Sequence, residues 1–178
     1  MSRRRVPVIC LHGPESVGKS MLTQALADHF GAQAVAEYGR DYCEIHGTDL
    51  TMADLVEIGR VQTDLIAQAA DRAERCVIAD TDALMTAVWA DMMLGARDPW
   101  FGRWDEPADL YLLLDIDLPF IRDDLRIYGG DEERQRFFDL CRAELVARGV
   151  RWRLVSGLGE ARLANALKAI EGTIGPLN

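Results

Sequence analysis

The chain has 178 residues, a length that suits one domain with a buried core. Hydrophobic residues at 49% and charged residues at 28% are the balance of a soluble globular protein. A formal net charge of −9 argues against nucleic-acid or acidic-membrane partners, so a bound anion must be held by a local set of donors.

The opening "MSRRRVPVIC" carries a basic run, and residues 1–5 read as a flexible basic terminus. Its apolar stretch of about six residues falls short of a signal peptide (roughly 7–15) and of a spanning helix (about 20). A cytoplasmic protein is expected. Cys10, Cys43, Cys76 and Cys141 are far apart and form no CxxC, which fits reduced thiols rather than a zinc site.

Strand-like "VPVICL" (6–11) leads into "GPESVGKS" (13–20), and a helix is expected from Gly18 to Phe30. Glycine, four variable residues and Gly-Lys-Ser is the spacing of a phosphate-binding loop. Backbone N–H groups there converge on phosphate oxygens at a helix N-terminus. The positions assigned to ATP are Gly13, Pro14, Glu15, Ser16, Val17, Gly18, Lys19, Ser20 and Met21. Lys19 reaches the β- and γ-phosphates and Ser20 ligates Mg2+. Of the 20 basic residues only Lys19 and Lys168 are lysine. A chain that otherwise uses arginine thus puts a compact ammonium in this loop.

"AQAVAE" (32–37) is a weaker strand, followed by "EYGRDY" (37–42) at the sheet edge. Glu37 can orient an acceptor hydroxyl or take its proton, Tyr38 and Tyr42 can stack on a ring, and Arg40 can hold an anion. A plain surface turn accounts for the same letters. Residues 51–74 repeat apolar positions by threes and fours, with Thr51 and Asp54 as a capping box.

"CVIAD" (76–80) and "LYLLLD" (110–115) are continuous apolar runs, as in parallel strands covered on both faces. Each ends in an aspartate that suits Mg2+. Asp80, followed by Thr81 and Asp82, is the stronger candidate, while Asp115 reads equally well as a helix cap. Between them lie a helix (82–94) and a loop, "GARDPWFGRWDEP" (95–107). Trp89 fits the apolar pattern of its helix, and the loop tryptophans have no core face to explain them. Trp89 and Trp104 are the candidates to contact a base.

A helix is expected over 119–127, placing Arg122 and Arg126 on one face, then a Gly-Gly hinge and a helix over 131–148 carrying Arg134 and Arg136. Arginines on a hinged segment suit phosphoryl transfer, where they neutralise developing charge and exclude water. A solvated helix face is the plainer reading of any one of them. "VRWRLVS" (150–156) makes a fifth strand and 160–171 a last helix. The alternation predicts a three-layer α/β P-loop NTPase fold, a parallel five-stranded sheet with a small helical lid, as a single domain over 1–178. No DxxG follows the third strand and no NKxD is present, which argues against a GTPase and leaves a small kinase.

"GPESVGKS", "EYGRDY", "IADTDALMTA", "YLLLDIDLPFIRDDLR" and "ERQRFF" occur in order from about residue 8 to 170. Together they resemble the nicotinamide riboside kinase domain at the C-terminus of bifunctional bacterial NAD-biosynthesis regulators. The resemblance implies ATP-dependent phosphorylation of the ribose 5′-hydroxyl, giving nicotinamide mononucleotide. It implies ATP and Mg2+ at Gly13 to Ser20, with Lys19, Glu37, Asp80, Arg122 and Arg126 as the catalytic set. Glu37, Tyr38, Arg40 and Asp82 would lie by the riboside, Ser20 and Asp80 by the metal, and Arg134 and Arg136 with ATP in the lid. The hydroxyl proton goes to Glu37 or to Asp80. Such regulators carry an adenylyltransferase ahead of the kinase; this chain begins at the first kinase strand, so it is expected to make the mononucleotide without converting it to NAD. A kinase for another nucleoside or nucleotide, and a non-catalytic ATP-binding module, are the alternatives. Self-association into a homo-oligomer is left open.

Overall fold

In the computed structural model, which describes residues 6–177, five strands make one parallel sheet: β1 (Val8–His12), β2 (Gln33–Val35), β3 (Val77–Asp80), β4 (Leu110–Leu114) and β5 (Trp152–Val155). The spatial order is β2-β3-β1-β4-β5. Ile9 pairs with Ile78 on one side and Leu110 on the other, so β1 is central. Every residue of β1, β3 and β4 is buried, as their unbroken apolar sequence requires when helices cover both faces. The basic terminus expected over 1–5 lies outside the described residues.

The helices are α1 (Lys19–Phe30), α2 (Tyr38–His46), α3 (Met52–Arg72), α4 (Ala83–Leu94), α5 (Pro99–Arg103), α6 (Asp131–Ala147) and α7 (Gly159–Ile174). Alternate β1 residues face opposite layers. Ile9 and Leu11 pack with Leu22 and Leu26 of α1 and Ile170 of α7. Val8 and Cys10 pack with Leu84 and Val88 of α4 and Phe137 of α6. A third cluster joins α2 to α5 beyond the sheet, around Tyr42, Leu55, Ile58 and Phe101. Thr51 and Asp54 form the expected capping box on α3. All four cysteines are free thiols. No helix among the described residues is long and apolar enough to cross a membrane.

Three segments depart from expectation. "YGRDYCEIH" is helix α2 rather than a turn, held to α3 by the Tyr42 hydroxyl donating to Asp54 at 2.6 Å. The loop 95–107 contains α5, capped by Asp98, which accepts the Trp100 N–H at 2.7 Å. Its aromatics do have a core face. Phe101 is fully buried, and Trp100 lies so close over Gly59 that a Cβ there would sit 2.7 Å from the indole.

Residues 119–127 are not a helix, so Arg122 and Arg126 do not share a helical face. Their backbone donors are spent elsewhere. The Ile121 N–H goes to Ser16 Oγ at 2.7 Å, and the Ile127 and Tyr128 N–H groups go to the Glu15 carboxylate. A helix over 119–127 would need the Ile127 N–H for the Asp123 carbonyl. The lid segment 118–130 is therefore an irregular strap, and helix begins at Asp131. Gly129 is required for space there, because a Cβ would lie 2.7 Å from the Phe120 ring.

Candidate active site

The loop after β1 curls at the C-terminal end of the sheet, where the chain crosses from the β3 side of β1 to the β4 side. That crevice is where open α/β sheets bind ligands. Gly13 (φ 142°) passes so close to β4 that a Cβ would meet the Leu114 carbonyl at 3.1 Å. Gly18 (φ 80°) caps α1 in the left-handed region that glycine tolerates best. Lys19 Nζ lies across the loop, donating to the Gly13 and Pro14 carbonyls at 3.0 and 2.7 Å. Just before the loop, burial and then Lys19 push His12 down to about 3, so no second cation crowds Lys19 from beneath.

The Ser20 hydroxyl donates to Asp80 Oδ2 at 2.5 Å, while Asp80 Oδ1 is buried without a partner. Two hard oxygen ligands, one of them a carboxylate with an unspent oxygen, fit Mg2+, which keeps most of its shell as water and phosphate. Asp115 instead turns its Oδ1 to the N–H of Ile116.

A cavity of about 630 Å³ joins this loop to a chamber between α2, α3 and α4. The donor end is walled by Ser16 to Met21, by Leu118, and by Gly159, Arg162 and Leu163 of α7. At the acceptor end Glu37, Arg40 and Gln62 meet an apolar lining of Leu55, Ile58, Met85, Trp89 and Met93. Burial, and then the neighbouring Asp80, push the Glu37 carboxyl up to about 7. Trp89 packs edge-on against Phe137 at 4.8 Å and faces Tyr128 at 5.8 Å. Arg40 reaches Asp123 of the strap at 3.4 Å, and Arg126 reaches the same oxygen at 3.3 Å.

Other residues expected in the site lie behind it. Asp82 is 2% exposed, caps α4 through the Leu84 N–H at 2.9 Å and accepts the Tyr111 hydroxyl at 2.5 Å. Burial pushes its carboxyl up to about 6. Tyr38 opens α2 beside, not in, the cavity wall, edge-on to Tyr42 at 6.0 Å. Trp104 is buried on another side of the fold, its indole N–H donating to Thr63 at 3.0 Å. Arg134 is buried beneath the strap, donating to the Leu118 carbonyl at 2.9 Å and stacked 5.7 Å from the Phe120 ring. Arg122 and Arg136 are exposed and do not line the cavity.

Two residues that organise the site carry no signal in the sequence pattern. Gln62, 1% exposed on α3, accepts the Tyr38 N–H at 2.8 Å and donates toward the carbonyls of Ala36, Asp80 and Thr81 at 3.2–3.4 Å. It fixes the ends of β2 and β3, including Thr81, a β-branched residue held at φ 69°. Arg162 bonds the carbonyls of Val17, Asp115 and Gly157 and pairs with Asp117, tying α7 to the phosphate loop.

Comparison with known proteins agrees with this geometry. The trifunctional NAD biosynthesis/regulator protein NadR of Escherichia coli (strain K12) is 33% identical over 141 residues, covering 76% of this chain and 34% of its own length. A crystal structure of NadR protein in complex with NR superimposes with a TM-score of 0.79 at 25% identity, over 96% of this chain and 51% of that one. NadR in complex with NAD and AMP-PNP also gives 0.79 at 25% identity, over 96% and 50%. The chain thus spans about a third of the curated relative and half of the solved chains. A family model described as an AAA domain matches residues 8–162. With its phosphate loop, parallel sheet and bridging cavity, the chain belongs to this AAA-domain family of P-loop proteins.

Proposed function

We propose that the chain is a kinase domain that moves the γ-phosphoryl group of ATP to the ribose 5′-hydroxyl of nicotinamide riboside, giving nicotinamide mononucleotide. The observation that carries this reading is one continuous cavity, lined by the phosphate loop, by Glu37 and by the apolar residues around Trp89. NR and AMP-PNP in the NadR structures support the choice of substrates.

Phosphoryl transfer asks the protein for positioning and charge stabilisation more than for covalent chemistry. The loop amides and Lys19 hold the triphosphate. Ser20 and Asp80 would hold Mg2+, which when bound neutralises charge between the β- and γ-phosphates. The apolar chamber takes the pyridinium ring, with Trp89 in its wall as the aromatic partner for a cation. That orientation brings the 5′-hydroxyl towards the loop. Glu37, tuned to about 7, accepts the hydroxyl proton as the oxygen forms its bond to phosphorus and the bond to ADP breaks. Asp80 is committed to Ser20 and the metal, which leaves Glu37 as the base. Arg126 and Arg40 face the cavity where charge accumulates.

ADP release with Mg-ATP, measured with nicotinamide riboside beside adenosine, thymidine and nucleoside monophosphates, tests this reading. Stimulation by nicotinamide riboside supports it. Stimulation by another acceptor alone overturns the substrate, and ATP binding with no acceptor stimulation overturns the kinase.

A further inference from the structure

The phosphate-loop motif leaves its middle positions open, and this chain places an acid in one of them. Glu15 is 9% exposed and sits beside the Lys19 ammonium and Arg126. A buried carboxylate next to a triphosphate site opposes anion binding, so a loop with phosphate as its sole task would do better with a neutral residue. The carboxylate does a second task. Its Oε2 accepts the Tyr128 N–H at 2.9 Å and the Ile127 N–H at 3.2 Å. The adjacent Ser16 hydroxyl accepts the Ile121 N–H at 2.7 Å.

These bonds tie residues 121–128, which form no helix, to the phosphate loop. They fix two features of the cavity at once. Tyr128, whose N–H is held by Glu15, turns its ring to Trp89 at 5.8 Å and to Phe137 at 5.8 Å, so it backs the acceptor chamber. Arg126, one residue before Ile127, lines the cavity with its guanidinium on the Ile121 carbonyl at 2.5 Å.

We propose that Glu15 is a positioning residue that couples the donor loop to the acceptor chamber: its carboxylate anchors the strap by Ile127 and Tyr128, so the loop that holds ATP also sets the wall against the acceptor. The acceptor half rests on the kinase reading above; the anchoring half does not. Removing the carboxylate separates the effects on the two substrates. The acceptor loses its wall, while the triphosphate loses a repulsive neighbour.

The test uses the full chain with Glu15→Ala and Glu15→Gln. Glu15→Ala is expected to raise the acceptor KM by about tenfold or more, leave the ATP KM equal or lower, and increase the share of ADP released without acceptor. Glu15→Gln keeps one acceptor oxygen and recovers part of the loss. Hydrogen exchange at Ile127 and Tyr128 reads the anchor without any turnover. Mg-AMP-PNP should slow exchange there in the wild type and fail to do so in Glu15→Ala, with the β1 and β4 amides unchanged. Equal protection by AMP-PNP in both proteins overturns the proposal, as does a parallel rise in both KM values with no rescue by Gln. If the wild type lacks acceptor-stimulated turnover, the kinase reading fails while the exchange result still decides the anchor.

Discussion

Gln62→Leu isolates the residue that ties the start of α2 to the ends of β2 and β3. The leucine fits a site of similar volume, so the change removes polar contacts more than packing. The Tyr38 N–H is in the first turn of α2, where no intrahelical carbonyl is available, and it loses its 2.8 Å acceptor. An unsatisfied buried donor costs about 1–3 kcal/mol, and the bonds from Nε2 to the Ala36, Asp80 and Thr81 carbonyls add about 1 kcal/mol for each of two hydrogens. The buried leucine returns about 1–2 kcal/mol of transfer energy. The net loss is roughly 1–4 kcal/mol, or about 2–16 °C in Tm for a chain of this size. Because Thr81 is held at φ 69° by this contact, kcat should fall by about tenfold even where the variant is fully folded. Urea unfolding with an unchanged m-value reads the first effect, and turnover well below Tm reads the second. A variant within about 0.5 kcal/mol of wild type, with normal turnover, would refute the reasoning.

With Glu37 raised to about 7 and needed ionised, kcat/KM for the acceptor should climb with pH through about 7, and Glu37→Gln should flatten the profile along with lowering it. The same shift has a stability sign. A carboxyl raised in the folded state loses stability as pH climbs from its unfolded pKa of about 4.5 to its folded value of about 7, so the advantage of Glu37→Gln over wild type should grow across that window and level off above it. Tyr111→Phe strips a donor from Asp82 and raises that carboxyl beyond about 6, so its stability penalty should grow between pH 5 and pH 8 in urea titrations; a pH-independent penalty would contradict this. Trp104→Phe removes the bond to Thr63 in a part of the core away from the cavity, and should lower Tm while leaving both KM values within about twofold.

The centre of the sheet was legible because β1, β3 and β4 are short apolar runs whose burial on both faces leaves no polar alternation to confuse them. β1, β3 and β4 fall within a residue or two of the expected spans, and the capping box placed the start of α3. The departures have specific causes. "YGRDYCEIH" has a glycine and few apolar residues, so its helicity depends on Gln62 and Asp54 from α3. Residues 119–127 have a helical spacing of arginines, but Ser16 and Glu15, more than 100 residues earlier, capture their amides. The placement of Lys19 across the loop and of Ser20 against Asp80 was legible because the loop motif and a strand-terminal aspartate are local patterns. Gln62, Arg162 and Tyr111 could not, since an uncharged amide, a surface-type cation and a strand tyrosine acquire roles only from neighbours distant in sequence. Asp82 shows the converse: "DTD" suggested a ligand, and the fold spends that carboxylate on a helix cap and a buried hydroxyl.

The central claim is transfer of a phosphoryl group from the loop to a hydroxyl in the chamber. It is tested most directly by identifying the product of Mg-ATP and nicotinamide riboside by 31P NMR and mass, with Lys19→Ala alongside. The account predicts a phosphomonoester on the riboside 5′-oxygen, formed in step with ADP and lost in Lys19→Ala. Inorganic phosphate as the sole product, or equal turnover in Lys19→Ala, would contradict it.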